Sequence, residues 1–477
     1  MPTPPADRRA RGVGGARRAG GAGGPGQSDG AAKAGGPGGL MKKSQSRAVI
    51  AVAMLLSALP ALPSPPGLPA LSAQVPFEQA STDLASTDAG TRLRAVRLLK
   101  QAAYPEAAVP LAALVTDPQD SIQLEAIAAE LNIFLAEPIV PKKRVGFIVE
   151  VRNAVQAEAA FTAGPNALGS RPVPVEVLTA LRIAARDENS RVAIEALYAF
   201  GALAVQAGSA RSALFRAAGP DIAAFIGSSD PAMRYAAVRV LGRALARRPQ
   251  DEPIEPTVGD AAITALNDSD RTVRTAAMQA LGAMRYERGV QALTDLFAYY
   301  GGGEPAEAAL DALAQIAHGT SVPLFITQLA SKSTVHRRIA MEGLARSGDV
   351  SQLNAIQTFV DKERDPSVML AGAFALVRLG NASTDQVADS LSRPRLREQA
   401  KRYLIEVAPG RTSEFGRHLL DSDAQIRADV ADVLGLAGDP AAIAAVEPLM
   451  GDRDPQVALA AERALTRLRA VQGKPAG

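Results

Sequence analysis

The sequence predicts an all-α fold, an α-solenoid of stacked antiparallel helix pairs with one irregular insertion. Three observations predict it. A short apolar phrase recurs eleven times between residues 91 and 470, a second helix-period stretch precedes it, and a polar, Asp-rich turn joins the two.

The recurring phrase starts at Thr91, Ile122, Val192, Met233, Val273, Pro305, His336, Val368, Leu396, Ile426 and Val457, here called anchors. Four residues on come Ala95, Ala126, Ala196, Ala237, Ala277, Ala309, Ala340, Gly372, Ala400, Val430 and Ala461, and eight on a large apolar residue, with Glu130 the exception. Positions i, i+4 and i+8 share one helix face, so each phrase is a helix with a buried stripe. The small residue at i+4 removes bulk where a neighbouring helix approaches. Most anchors lie 28 to 41 residues apart, the signature of a repeat array.

Upstream stretches such as 174–187, 290–300 and 322–331 carry the first helix of each pair. The turns that follow, Ser229-Asp230-Pro231, Asp268-Ser269-Asp270, Asp365-Pro366-Ser367, Asp421-Ser422-Asp423 and Asp454-Pro455-Gln456, hold N-capping side chains, and some place Pro in the first helical turn. Gly242, Gly282, Gly380 and Gly435 are expected to close helices in a left-handed conformation. A single pair cannot bury its apolar faces, so pairs must stack.

The phrase Asp-x-x-x-x-(apolar)-Arg-x-x-Ala-x-x-x-Leu-Gly is plainest in 229–242, 267–282 and 421–435. It resembles the HEAT repeat, in the variety named after the phycobilin-lyase HEAT-like repeats, over roughly residues 85–470. That resemblance implies a right-handed, HEAT-like superhelix whose second helices line a concave surface. The family includes scaffolds, adaptors and a few enzyme subunits. Departures from the pattern are Gln123, Ala193, Ala306, Met369 and Ala458 in place of the Arg, and Gly301-Gly302-Gly303 in place of an Asp turn.

The front of the chain differs. Residues 1–40 are Gly, Ala, Arg and Pro, a composition too poor in apolar side chains to offset ordering entropy, and a misplaced start codon before Met41 would account for them. Lys42, Lys43 and Arg47 precede a twelve-residue apolar run, Ala48 to Leu59. That run is short for a membrane span and fits a signal peptide over 41–73, cut after Ala73, or an uncleaved anchor. Residues 74–477 form the solenoid. Localisation is therefore expected to be exported, periplasmic or extracellular, with a membrane contact only through an uncleaved N-terminal segment.

Residues 1–73 hold nine of the 52 basic and two of the 49 acidic side chains, so the remainder carries net charge −4. With aromatics at 4%, this balance argues against nucleic acid as a partner. The absence of cysteine excludes disulfides, thiol catalysis and a lipidated N-terminal Cys.

No catalytic, cofactor or metal constellation stands out, and no cofactor is expected. Of the three histidines, His336 occupies an anchor and is expected to pack at a helix start; His318 suits a helix-end cap. The recurring Arg92, Arg234, Arg274, Arg337, Arg397 and Arg427 are expected to form an internal ladder, each reaching the Asp turn of its own or an adjacent unit. The 70-residue gap between Ile122 and Val192 implies an insertion at about 137–173. It holds either a strand over Val145–Val151 or a degenerate helix from Val151, and loops inserted in solenoids often carry specificity.

The expected function is a non-enzymatic exported scaffold that binds a protein or peptide on its concave second-helix face. The candidate contacts are Arg239, Arg243, Gln279, Glu342, Arg346, Glu398, Lys401 and Asp432, with Lys142, Lys143 and Arg144 of the insertion. Their mixed signs suit polar protein surfaces. The alternative, implied only by the family resemblance, is a lyase or chaperone-like subunit handling a bilin-type chromophore. Sequencing the mature N-terminus is expected to read from Gln74; residues 1–40 on the mature protein would refute the signal-peptide reading.

Overall fold

The computed structural model describes residues 77–136, 156–169, 171–206, 211–246, 253–380 and 382–472. Residues 1–76, on which the expected leader and signal peptide fall, and residues 137–155, with Lys142, Lys143 and Arg144, lie outside the described residues. Within residues 74–477, which form one unit, 23 α-helices follow one another, and among the described residues the only β pairing is an isolated bridge, Leu135 to Leu168.

Twenty-two of the helices make eleven pairs, one for each anchor, and the extra one is Gln156–Ala163. The first helices are short and often run through a 3₁₀ turn, as in Ile443–Val446 and Gly416–Leu419. The second helices are longer, from Ala89–Ala102 and Asp120–Phe134 to Pro455–Gln472. Each second helix packs on its own first helix and on the second helix of the next unit. All the i+4 and i+8 positions are buried, including Ala126, Ala277, Ala340 and Leu281 at 0% exposure.

Capping explains where the second helices begin. Asp88, Asn189, Asp230, Asp270, Ser333, Asp365 and Asp423 each accept a hydrogen bond from a backbone N–H in the first turn. These side chains satisfy donors that the helix itself leaves free.

The glycines correct one expectation. Gly380, at φ +86°, does adopt the left-handed conformation. Gly242, Gly282 and Gly435 lie inside their helices and close nothing. A Cβ on Gly242 would stand 2.8 Å from Ala280 Cα, one on Gly282 2.8 Å from Ala312 Cα, and one on Gly435 2.5 Å from Ala464 Cα. Each glycine is nine residues past an anchor, and each alanine is seven past the next one. The bare α-carbon exists so that consecutive second helices can touch backbone to side chain. Left-handed closure falls instead to Ala103, Arg285 and Ala317 and to Gly301, Gly348 and Gly438.

Gly435→Ala therefore sets two effects against each other. Helix propensity favours alanine by about 1 kcal/mol, and overpacking against Ala464 costs about 1–3 kcal/mol. The net expectation is a lower urea midpoint; a raised midpoint would show that the helices have room to part.

Candidate binding face

Two columns of side chains define the face presented by the second helices. Six residues past the anchors stand Tyr198, Arg239, Gln279, Asp311, Glu342, Phe374, Asp432 and Arg463; ten past stand Arg243, Arg346, Glu406 and Arg467. The close helix approach brings neighbouring members together, and most of the candidate contacts have partners within the chain.

Glu342 is buried at 3% exposure and accepts from Tyr403 Oη and from Arg338. Arg346 donates to both oxygens of Glu406, at 3.0 Å from Nε to Oε2 and 2.8 Å from Nη2 to Oε1. Lys401 sits 3.2 Å from Asp429 and 3.5 Å from the exposed Glu398. Asp432 accepts from Arg463 at 3.0 Å. Burial, together with the Glu342 charge, raises the Asp311 carboxyl and pushes the Tyr403 hydroxyl well above its ordinary value. Asp311 and Tyr403 were not anticipated from the sequence, although Asp311 stands six residues past Pro305, as Glu342 stands six past His336.

The part of the insertion that is described occupies this face. Helix Gln156–Ala163 packs against helices Ser190–Leu203 and Asp120–Phe134, and the chain after it is pinned back by Ala136 N donating to the Ala167 carbonyl at 2.8 Å. Arg239 pairs with Glu158, donates to Thr162 Oγ1 at 3.0 Å and to Tyr198 Oη at 3.2 Å, and lies over the Tyr235 and Phe161 rings. Arg243 donates to the Phe161 carbonyl, with its guanidinium 3.6 Å from the ring centroid. Burial and the neighbouring Arg239 charge lower the Arg243 pKa to about 10. From the far end of the array, Arg467 donates to the Pro165 carbonyl at 3.0 Å. A cavity of about 410 Å³ lies beside these groups, lined by Phe161, Pro165, Arg239, Arg243, Gln279 and Ala283 among others.

Along the edge where the turns lie, the arginines form the expected ladder, and its rungs join adjacent units. Arg92 grips Asp117 at 2.7 and 3.1 Å, Arg234 grips Asp268 at 2.7 and 2.8 Å, Arg337 grips Glu363 at 2.8 and 3.3 Å, and Arg427 grips Asp452 at 2.8 and 2.7 Å. Gln123 replaces Arg yet still donates to Asp187 at 2.8 Å. Each acid also accepts a backbone N–H two residues on, as Asp268 does from Asp270. Paired ionic hydrogen bonds of this kind are directional as well as strong. Arg397 departs, donating to the Leu391 carbonyl and lying 3.5 Å from Asp429. Arg274 reaches its own turn but, among the described residues, meets no acid of the next unit.

Elsewhere, His336 is buried against Phe297, His318 caps the turn at Thr320, and His418 contacts Asp389 at 3.0 Å. Among the described residues no group of three or more His, Asp or Glu side chains is placed to hold a metal ion, and no helix is long and apolar enough to cross a membrane. Glu130 is fully buried with neither carboxylate oxygen hydrogen-bonded, and burial raises its pKa well above the ordinary range.

Residues 219–314 match the family model described as HEAT repeats. Over that span the chain carries HEAT repeats. No curated protein matches it. Among solved structures, it is similar to an engineered protein at 19% identity, covering 82% of this chain and 98% of that one, with a TM-score of 0.40. It is also similar to Kap95p, solved with RanGDP, at 15% identity over 82% of this chain and 55% of that one, TM-score 0.35. A third is from the CpcE–CpcF complex of phycocyanin lyase from Nostoc sp. PCC7120, at 19% identity over 53% of this chain and 94% of that one, TM-score 0.31.

The arginine ladder sets the acid limit of the fold. Burial opposes ionisation of Glu363, but hydrogen bonds from Arg337 and the turn amides prevail and lower its pKa to about 2; Arg427 does the same for Asp452, also to about 2. Because both folded values lie below the unfolded ones, 4.5 and 3.8, this stabilisation is complete above the unfolded values and is lost as pH falls through them towards about 2. The melting temperature is expected to drop across that window, and to drop less in Arg427→Met, which has already lost one rung; an identical acid profile in the variant would contradict the ladder.

Proposed function

We propose that this protein is a non-enzymatic scaffold, exported from the cytoplasm, that holds a protein or peptide partner on its second-helix face. The observation that supports this reading is that the face already holds a polypeptide segment. Helix Gln156–Ala163 is seated there by Arg239 on Glu158 and by Arg243 on the Phe161 carbonyl, and Arg467 takes the Pro165 carbonyl just beyond it. These are generic polypeptide acceptors, a carboxylate and backbone carbonyls, and another chain offers the same ones.

The arrangement leaves a place for a partner next to the insertion. The lining of the 410 Å³ cavity includes the small residues Gly242, Ala276, Ala280 and Ala283, so an apolar side chain can rest over the contact between the helices. Arg243 lines it with a desolvated guanidinium that pairs with no carboxylate among the described residues, which favours an acidic or carbonyl-rich partner. Gln279 is exposed at its rim. The exposed Glu398, beside Lys401, then helps to select among partners more than it adds affinity.

A photo-crosslinking amino acid at Gln279, in the full chain expressed in its own host, is expected to capture a second polypeptide, and Arg243→Glu is expected to abolish the adduct. Crosslinks confined to the chain itself, in both forms, would contradict the reading.

A further inference from the structure

The arginine ladder follows a positional rule. The arginine one residue past an anchor meets an acid two residues before the next N-cap: Asp117 before Gln119, Asp268 before Asp270, Glu363 before Asp365, Asp452 before Asp454. In all four rungs Nε and Nη2 take the carboxylate, while Nη1 holds two carbonyls of the arginine's own turn. For Arg234 those carbonyls belong to Ser228 and Ser229.

In three units where the arginine is absent the acid is absent too, while Gln123, a neutral donor, keeps its acid in Asp187. Ala193, Ala306 and Met369 are matched, two residues before the following N-cap, by Ser228, Ser331 and Pro394. Arg274 breaks this correspondence. Its Nη1 donates to the carbonyls of Asp268 at 2.7 Å and Ser269 at 3.0 Å, the same grip as in the complete rungs. The position two before the next N-cap, Gly302, holds Tyr300, and no carboxylate among the described residues pairs with Arg274. A cavity of about 290 Å³ opens here, lined by Arg271, Arg274, Thr275, Met278, Tyr300 and Pro305.

We propose that Arg274 and this cavity form a binding site for an Asp or Glu side chain carried by another polypeptide, which completes the missing rung in trans. The chain itself shows the chemistry four times: a guanidinium held by its own turn takes a side-chain carboxylate with two parallel hydrogen bonds. The cavity is several times the roughly 30 Å³ that a water occupies, so a carboxylate and its methylene stem fit. At the rim Arg271 is paired with Glu304 at 3.0 Å, and that negative charge disfavours a dianion such as phosphate more than a single carboxylate. Tyr299, 81% exposed and packed edge-on against Tyr300, offers an apolar contact that a polypeptide can use and a free ion cannot. Only the source of the carboxylate, a polypeptide, rests on the scaffold reading.

The test is phenylglyoxal modification of the full chain, with the rate at each arginine followed by peptide mass spectrometry. Three probes are added in turn: a capped Ser-Glu-Ser peptide, its Ser-Gln-Ser counterpart, and succinate. Arg274 is expected to react faster than Arg234 and Arg427. The Glu peptide at twice its dissociation constant slows Arg274 about threefold, and the Gln peptide leaves it unchanged. Tyr300→Asp, which supplies the acid in cis, protects Arg274 with no probe present; if that variant does not fold, Asp268→Ala makes the same comparison by raising the Arg234 rate to that of Arg274. An Arg274 as slow as Arg234 in the free chain, or slowed equally by the Glu and Gln peptides, overturns the site. Succinate protecting as well as the peptide overturns the polypeptide as its occupant. The scaffold reading is tested separately by the Gln279 crosslinks, with Arg274 intact, so the two failures are distinguishable.

Discussion

The close approach of consecutive second helices is the constraint from which the rest of this structure follows. A Cβ on Gly435 would sit 2.5 Å from Ala464 Cα, and Gly242 and Gly282 meet Ala280 and Ala312 almost as tightly. At that spacing only small residues fit at the contact, a glycine nine residues past one anchor and an alanine seven past the next. The apolar residues at i+8 then close over a continuous core that no single pair of helices could bury. The stripe of small side chains is thus a packing requirement repeated along the array.

The same approach governs the charges. Side chains six and ten residues past the anchors are brought close enough that an unpaired ion would be costly, and the face answers with internal partners: Arg346 with Glu406 and Asp432 with Arg463. On the turn edge, four arginines meet an acid of the next unit, and three units that lack the arginine lack the acid as well. A side chain standing outside these pairings is therefore informative. Arg243, desolvated beside a cavity, and Arg274, facing a tyrosine where an acid belongs, are the two such cations on which a binding function can be built.

Much of the fold was legible in the sequence because its physics is local and periodic. The i, i+4, i+8 stripe marks the second helices, Asp and Ser mark their starts, and eleven anchors correspond to eleven helix pairs. Contacts between units were harder to read. Gly242, Gly282 and Gly435 looked like helix closures because glycine near a helix end usually is one, and only the packing against the next unit shows otherwise. The ladder was foreseen as a pattern of arginines, yet the gap at Arg274 needed the register between each arginine and the following N-cap. Of the candidate contacts, Glu342 gave no sign of being buried under Tyr403, a residue 61 positions away. The ends of the insertion lie far apart in sequence from Arg239 and Arg467, so no local signal could seat its helix.

A double-mutant cycle at Gly242 and Ala280 tests the close approach most directly. Gly242→Ala alone, Ala280→Gly alone and the exchanged pair are compared by urea unfolding, and the helix propensities of the two residues cancel in the cycle. A coupling of at least about 0.5 kcal/mol is expected, the exchanged pair recovering part of the stability lost in Gly242→Ala, because Ala280→Gly removes the Cβ that would stand 2.9 Å from the added one. Strict additivity would mean that these two residues do not meet, and that the small-residue stripe is not what holds the units together.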